Sequence, residues 1–359
     1  MSASPAVRSG LVLGAGGVLG GAWMAGALHA LAERTRWYPR HAEYIVGTSA
    51  GSVLAAFGAA GVPPWLLIPE ASTNVYHGLI DAGGNLQVHG DLWERIVRRR
   101  PLGLPRFLPG SLSLFLAGMR QGNTTLLKML CGLAPVGVFS TDPIKDTVRW
   151  VANDGGWVQH PNTWIVACDY QTGDRVVFGK EGAPEVDVAQ AVAASCAIPG
   201  YYRPEEIDGR LYVDGALHSM SNLDLLLGLK LDLVVVVSPH STRQKFRGWD
   251  PLNRFTDVTR QVAARQVDAE VEALRAEGTE VLLLEPVAED LAAIGGNVMD
   301  DRRRTQVMRT ATRTTLEQLK RADRKAPLAL LERPLQVRPP KPAPEPAEPH
   351  GTPQLRPAV

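Results

Sequence analysis

The chain has 359 residues, 38 Lys and Arg against 37 Asp and Glu, and a formal net charge of +1. Hydrophobic residues make up 45% and charged residues 21%, an average globular balance that excludes a strongly electrostatic nucleic-acid binder, an acidic disordered chain and a collagen-like fibre. Glycine and proline are unevenly distributed: seven of 35 Gly lie between Gly10 and Gly26, and nine of 27 Pro in the last 26 residues.

In chain order, Ser9 to Leu13 is an apolar run that reads as a buried strand. Gly14 to Gly21 is too glycine-rich for a regular element, and small and apolar residues then recur at helical spacing from Ala22 to Glu33. Tyr44-Ile45-Val46 predicts a second strand, Gly47 to Gly51 a tight turn and Ser52 to Ala60 a small-residue helix. Residues 63–130 read as a mostly helical insertion, broken near Gly83-Gly84 and irregular over 101–120. Strands are expected over Trp164 to Cys168, Arg175 to Phe178 and Arg210 to Val213, with a helix over Val186 to Ala197. Leu231 to Ser238 holds four successive Val, the mark of a strand covered on both faces. A long helix over Asp257 to Glu277, a strand over Glu280 to Glu285 and a helix over Asp301 to Arg324 follow.

Strands alternating with helices predict an α/β fold: a mainly parallel central sheet with helices on both faces. The expected organisation is a flexible terminus over 1–8, one domain over 9–330 and a Pro-rich disordered tail over 331–359. Cys131, Cys168 and Cys196 are too few and too scattered for a disulfide framework or a zinc site, and predict reduced thiols in the cytoplasm. No secretory signal is visible, and no segment reaches the roughly 18 apolar residues of a membrane span.

The glycine-rich run from Gly10 to Leu28 sits between a strand and a helix, which aims bare N–H groups and a helix N-terminus at negative charge. That charge is a dinucleotide pyrophosphate or the oxyanion of an acyl-transfer intermediate. The dinucleotide fingerprint fails twice: Leu19 stands where the third Gly belongs, and the second strand ends in Val46-Gly47-Thr48-Ser49 without an acid. Gly47-Thr48-Ser49-Ala50-Gly51 is a G-x-S-x-G turn in its required strand-to-helix setting, where small neighbours let the Ser hydroxyl stand above the sheet. Two bases compete for Ser49: His240, after the strongest strand, and Asp214, at a strand end followed by Gly215 and Ala216. A free Asp is a weak base, with a pKa of about 3.9, and works only when closely oriented in a partly dehydrated cleft.

Three blocks in this order resemble the patatin-like phospholipase family: the Gly loop (14–21), Gly47 to Ser52, and Asp214-Gly215-Ala216. Ala194-Ser195-Cys196-Ala197-Ile198-Pro199-Gly200, Asp208-Gly209-Arg210 and Asn222 match that family's intervening and following pattern, so the similarity covers about residues 9 to 240. The resemblance implies a three-layer α/β/α fold and a Ser49–Asp214 dyad without a catalytic His. It also implies an oxyanion loop near Gly16 and Gly17, flanked by Gly14 and Gly20, and no metal or cofactor. The implied substrates are acyl esters of phospholipids, lysophospholipids or acylglycerols. Two departures stand out: Leu19 or Gly20 takes the place of a usual Arg or Lys, and Ala216 that of a commoner Gly.

The competing readings are a nucleotide-binding oxidoreductase or acyltransferase on the same loop, and a non-catalytic membrane adaptor. For peripheral contact with an anionic membrane there are two basic stretches, Asp301 to Lys325 with nine Lys and Arg, and Arg95 with Arg98-Arg99-Arg100. Apolar residues over 102–119, with Trp65, Leu66 and Leu67, suit either a lid over an acyl groove or ordinary core.

Overall fold

The computed structural model describes residues 7–67, 92–103, 108–119, 125–152, 156–244 and 251–332. The expectations for residues 1–6, the Gly83-Gly84 break and the Pro-rich stretch from residue 333 onward lie outside them.

Among the described residues, eight strands form one sheet: β1 (Ser9–Leu13), β2 (Tyr44–Thr48), β3 (Thr163–Asp169), β4 (Arg175–Phe178), β5 (Glu205–Ile207), β6 (Arg210–Asp214), β7 (Leu233–Val237) and β8 (Glu280–Leu284). The order is β5-β6-β3-β2-β1-β7-β8, with β4 also on β3. Pairing is parallel from β3 through β2, β1 and β7 to β8, and antiparallel where β3 meets β4 and β6. The mainly parallel α/β sheet expected from the alternation is therefore present, with an antiparallel margin at one side.

Alternation along the buried strands feeds two cores, because successive strand residues point to opposite faces. Leu11, Leu13, Ile45 and Val235 pack with helices α1 (Gly17–Thr35) and α2 (Ala50–Ala59). Val12, Val46, Val234 and Val236 pack on the other face with Val267, Val271 and Leu274, which belong to the long helix Pro251–Ala276. The result is three layers. The other helices among the described residues, in chain order, are α3 (Leu92–Val97), α4 (Leu112–Gly118), α5 (Thr125–Leu133), α6 (Asp142–Ala152), α7 (Val188–Ser195), α8 (the long helix just described), α9 (Ala288–Ile294), α10 (Arg304–Leu319) and α11 (Lys325–Leu331). None of the described helices is long and apolar enough to cross a membrane.

Several expectations need correction. The glycine-rich stretch is not irregular as far as Gly21, since α1 already begins at Gly17. Glycine is tolerated there because the helix must approach its surroundings closely: a Cβ on Gly26 would lie 2.5 Å from the Met308 carbonyl of α10. Helices α6, α9 and α11 escaped the sequence reading. Pro143 and Pro327 look like breakers, but both fall in a first turn, where no intrahelical N–H is needed. The predicted helix 301–324 is divided, with short 3₁₀ turns on either side of α10. Of the expected flexible terminus, Val7 is buried and Arg8 is anchored, its backbone N–H on Asp232 at 2.7 Å and its guanidinium on Glu43. The expected tail boundary at 331 is early, because Leu331 is buried at the end of α11. Leu66 and Leu67 are core residues rather than a lid.

Candidate active site

The register of β3 brings the two candidate residues together. β4 pairs with Ile165 to Cys168 along one edge of β3, so β2 and β6 share the other edge. β2 ends with Thr48 opposite Val166, and β6 arrives from the opposite direction and ends with Asp214 opposite Ala167. Two antiparallel strand ends thus meet tip to tip, and the residue after Thr48 is Ser49.

Ser49 has φ 54° and ψ −127°, a backbone conformation that L-residues avoid. It persists because its surroundings hold it from both sides. The Ser49 N–H donates to Ser195 Oγ at 2.9 Å, and that hydroxyl donates to the Val166 carbonyl at 2.6 Å. The Ser49 carbonyl accepts from Ser52 Oγ at 2.6 Å and from the Cys196 thiol at 3.3 Å. Small neighbours are required for contact reasons: a Cβ on Gly51 would sit 2.1 Å from the Leu13 carbonyl, and one on Gly47 2.6 Å from Ala55 Cβ.

Asp214 is buried, and its Oδ1 accepts from the Ala216 N–H at 2.9 Å. Burial pushes its carboxyl up to about 6, against hydrogen bonds from Ser49 and the Ala216 amide that pull it down. Gly215 must lack a side chain, since a Cβ there would meet the Val166 carbonyl at 2.4 Å. Asn222 braces the arrangement: its Nδ2 donates to Thr48 Oγ1 at 3.1 Å and to the Ser219 carbonyl at 2.8 Å. The three cysteines converge here. Burial first, and then the negative charge of Asp214, hold the thiols of Cys131, Cys168 and Cys196 above their ordinary range.

His240 faces elsewhere. Its Nε2 meets Thr259 Oγ1 at 3.3 Å, and burial followed by the charge of Arg260 pushes its pKa down to about 4. Asp214, not His240, is the group that interacts with the Ser49 side chain.

The structure divides the four loop glycines. The Gly14 N–H bonds the Val237 carbonyl at 3.1 Å and the Gly20 N–H the Gly16 carbonyl at 3.0 Å, so neither amide is free to receive an oxyanion. Gly16 and Gly17 remain, at the start of α1, where first-turn amides have no partner inside the helix. Leu19, the departure from the expected Arg or Lys, is fully buried and gives its N–H to the Val298 carbonyl at 2.9 Å. Pro239 packs close to the loop: a Cβ on Gly16 would lie 2.6 Å from its ring, and one on Gly20 3.3 Å. Close backbone packing explains those glycines without a nucleotide.

Gly17, Val18, Ser49 and Ala50 face a common cleft, so the positive N-terminal ends of α1 and α2 converge beside the Ser49 hydroxyl. The cleft continues over Val53, Ile96, Val97, Ile144, Ile198 and Met299, an almost wholly apolar lining. Asp214 lies behind Ser49, and Ser49 forms part of the cleft wall. Sequence reasoning quoted Ser195 and Asn222 only as parts of a pattern; their task is to hold the Ser49 turn and to tie the two strand ends.

A family model described as patatin-like phospholipase matches residues 11–227. Among the curated proteins, the chain is similar to uncharacterized NTE family proteins of Mycobacterium bovis and Mycobacterium tuberculosis. Each is 31% identical over 116 residues, 32% of this chain and 31% of the relative. The chain therefore covers about a third of the length of the curated relatives it matches.

Proposed function

The chain belongs to the patatin-like phospholipase family, and on that premise we propose that it hydrolyses carboxylic esters of lipids through a Ser49–Asp214 dyad. The observation that carries the proposal is the strained Ser49 turn, backed by a desolvated carboxylate that its side chain influences and open to an apolar cleft.

In this reading the acyl chain lies along Val53, Ile96, Ile144 and Ile198 and brings the ester carbonyl to Ser49. Asp214 accepts the Ser49 proton as Oγ bonds to the carbonyl carbon, and the carbonyl electron pair moves onto oxygen. The oxyanion is received by the amides of Gly16 and Gly17 at the start of α1. The tetrahedral species then collapses: the ester C–O bond breaks, the departing alkoxide takes the proton from Asp214, and an acyl-Ser49 remains. Water, deprotonated by the same carboxylate, attacks the acyl-enzyme and releases the fatty acid, and the proton returns to Ser49. Burial makes this carboxylate a stronger base than a free one, because the ionised form is poorly solvated at this site.

A fluorophosphonate probe tests the nucleophile. Labelling of the parent chain and none of Ser49→Ala is expected; equal labelling of both would assign the chemistry to another residue. Activity lost in His240→Ala but kept in Asp214→Asn would overturn the dyad.

A further inference from the structure

From Arg95 to Thr141 the chain holds seven cations and not one Asp or Glu, although acids elsewhere average more than one residue in ten. A protein of net charge +1 therefore contains a +7 segment offset by −6 in the remainder. The same segment gathers the exposed apolar surface. Of nine large hydrophobic residues exposed among the described residues, seven lie between Leu102 and Leu133, Leu108 at 73% and Leu112 at 61% being the most open.

These side chains share one strip. On α4, Leu112 and Leu116 stand one turn apart facing outward, and Leu114 is buried beneath them. On α5, Leu130 and Leu133 face outward in the same way. The Gly110 N–H bonds the Ala134 carbonyl at 2.9 Å and the Ser111 N–H the Gly132 carbonyl at 3.0 Å, which sets the start of α4 beside the end of α5. Further along, the Leu102 N–H bonds the Val138 carbonyl and the Ser140 N–H the Arg100 carbonyl, carrying the strip on to the arginines.

The strip reaches the mouth of the cleft through α3 and the residues after it. Ile96 and Val97 line the cleft, whereas Arg95, Arg98 and Arg100 are exposed around a surface hollow. Asp142, 3.7 Å from Arg100, and Asp146 flank that hollow and offset only part of its charge.

We propose that this strip docks the protein on an anionic phospholipid bilayer, its leucines entering the acyl–headgroup boundary and its arginines meeting the phosphates. Exposed leucines beside an acid-free run of arginines fit such an interface, where apolar burial and attraction to anionic headgroups act together. Its purpose rests on the acyl-hydrolase reading, because docking would hold the cleft mouth against its substrate; its test does not.

The test is co-flotation of the full-length Ser49→Ala chain with phosphatidylcholine vesicles, with and without a one-third share of phosphatidylglycerol. Binding is expected to the anionic vesicles and to fall sharply from about 0.1 to about 1 M salt, as the Debye length shrinks from about 10 to about 3 Å. Each basic residue at the surface is worth about fivefold in partition, so Arg98→Gln with Arg100→Gln should lower binding roughly 25-fold. Leu112→Ser with Leu116→Ser should lower it about tenfold or more. Both pairs lie on exposed surface and should melt within a few degrees of the parent. Equal binding to neutral vesicles, no binding at all, or unchanged binding by both folded variants would overturn the proposal. So would a solution dimer that the Leu112→Ser, Leu116→Ser chain dissolves, since it would assign the strip to a second copy. Fluorophosphonate labelling of the wild-type chain reports separately on the hydrolase reading.

Discussion

The two strand ends that meet on β3 are costly in different ways. Ser49 is held in a backbone conformation that an L-residue avoids, with its main-chain polar groups tied to Ser195, Ser52 and Cys196. Asp214 has an ordinary backbone, with φ −49°, but its carboxylate is buried and its pKa raised to about 6. One residue stores strain and the other stores desolvation. The difference teaches how the fold divides the work: the turn aims the hydroxyl into the cleft, and the dry pocket behind it raises the basicity of its partner.

Activity gives the largest test of that division. Ser49→Ala should lower kcat/KM on a soluble ester by about 10⁴-fold or more, and Asp214→Asn by nearly as much, because the two act as a unit. In the parent, kcat/KM should rise with pH through about 6 and level off above it, as Asp214 ionises. A profile flat from pH 5 to 8 would separate the carboxylate from the rate.

Stability separates the two kinds of cost. The folded-state pKa of Asp214 lies above its unfolded value, so its protonated form favours folding at low pH and that advantage is lost as pH rises through about 6. Asp214→Asn should therefore unfold with a free energy on the order of 3 kcal/mol higher than the parent at pH 8 and little changed at pH 4, measured by denaturant titration. Backbone strain carries no such pH dependence. Ser49→Gly should exceed Ser49→Ala by roughly 1 kcal/mol at either pH.

Smaller effects should come from the support. Ser195→Ala removes the hydroxyl shared by the Ser49 N–H and the Val166 carbonyl, at about 1–3 kcal/mol. It should lower kcat about tenfold to a hundredfold with KM little changed, because the turn drifts while the acyl cleft stays intact.

A second contrast concerns charge. Helix α10 and its flanks stood in sequence beside Arg95 and Arg98 to Arg100 as a candidate for an anionic membrane, with nine Lys and Arg between Asp301 and Lys325. In the fold Arg302 meets Asp300, Arg313 meets Glu289, Lys320 meets Glu317, and Arg321 and Arg324 meet Asp323. Its apolar face, with Val307, Met308 and Ala311, is buried. Neutralising Arg313 and Lys320 to Gln should leave flotation with anionic vesicles unchanged, the smallest effect expected; a loss comparable to that of the Arg98 and Arg100 pair would reverse the contrast.

Much of the scaffold was legible from the chain. The strand–loop–helix units over 9–35 and 44–60 declare themselves through apolar runs next to glycine and small residues, and those signals are local. Ser49 was legible for the same reason, since the steric demands of its turn are written in Gly47, Ala50 and Gly51. Asp214 emerged through its setting at a strand end before Gly215, and through resemblance.

What the chain determined by itself, then, was most of the segments that become strands and helices, and which hydroxyl and carboxylate stand at strand ends. Only the tertiary structure decided that these two ends meet tip to tip on one edge of β3, because that depends on pairings between residues 118 positions apart for β2 and 43 to 47 apart for β6. It alone committed the Gly14 amide to a carbonyl of β7, gathered three scattered thiols around one carboxylate and placed Ser195 under the Ser49 turn. It also raised the pKa of Asp214, because desolvation belongs to the pocket that folding closes around a residue and not to the residue itself.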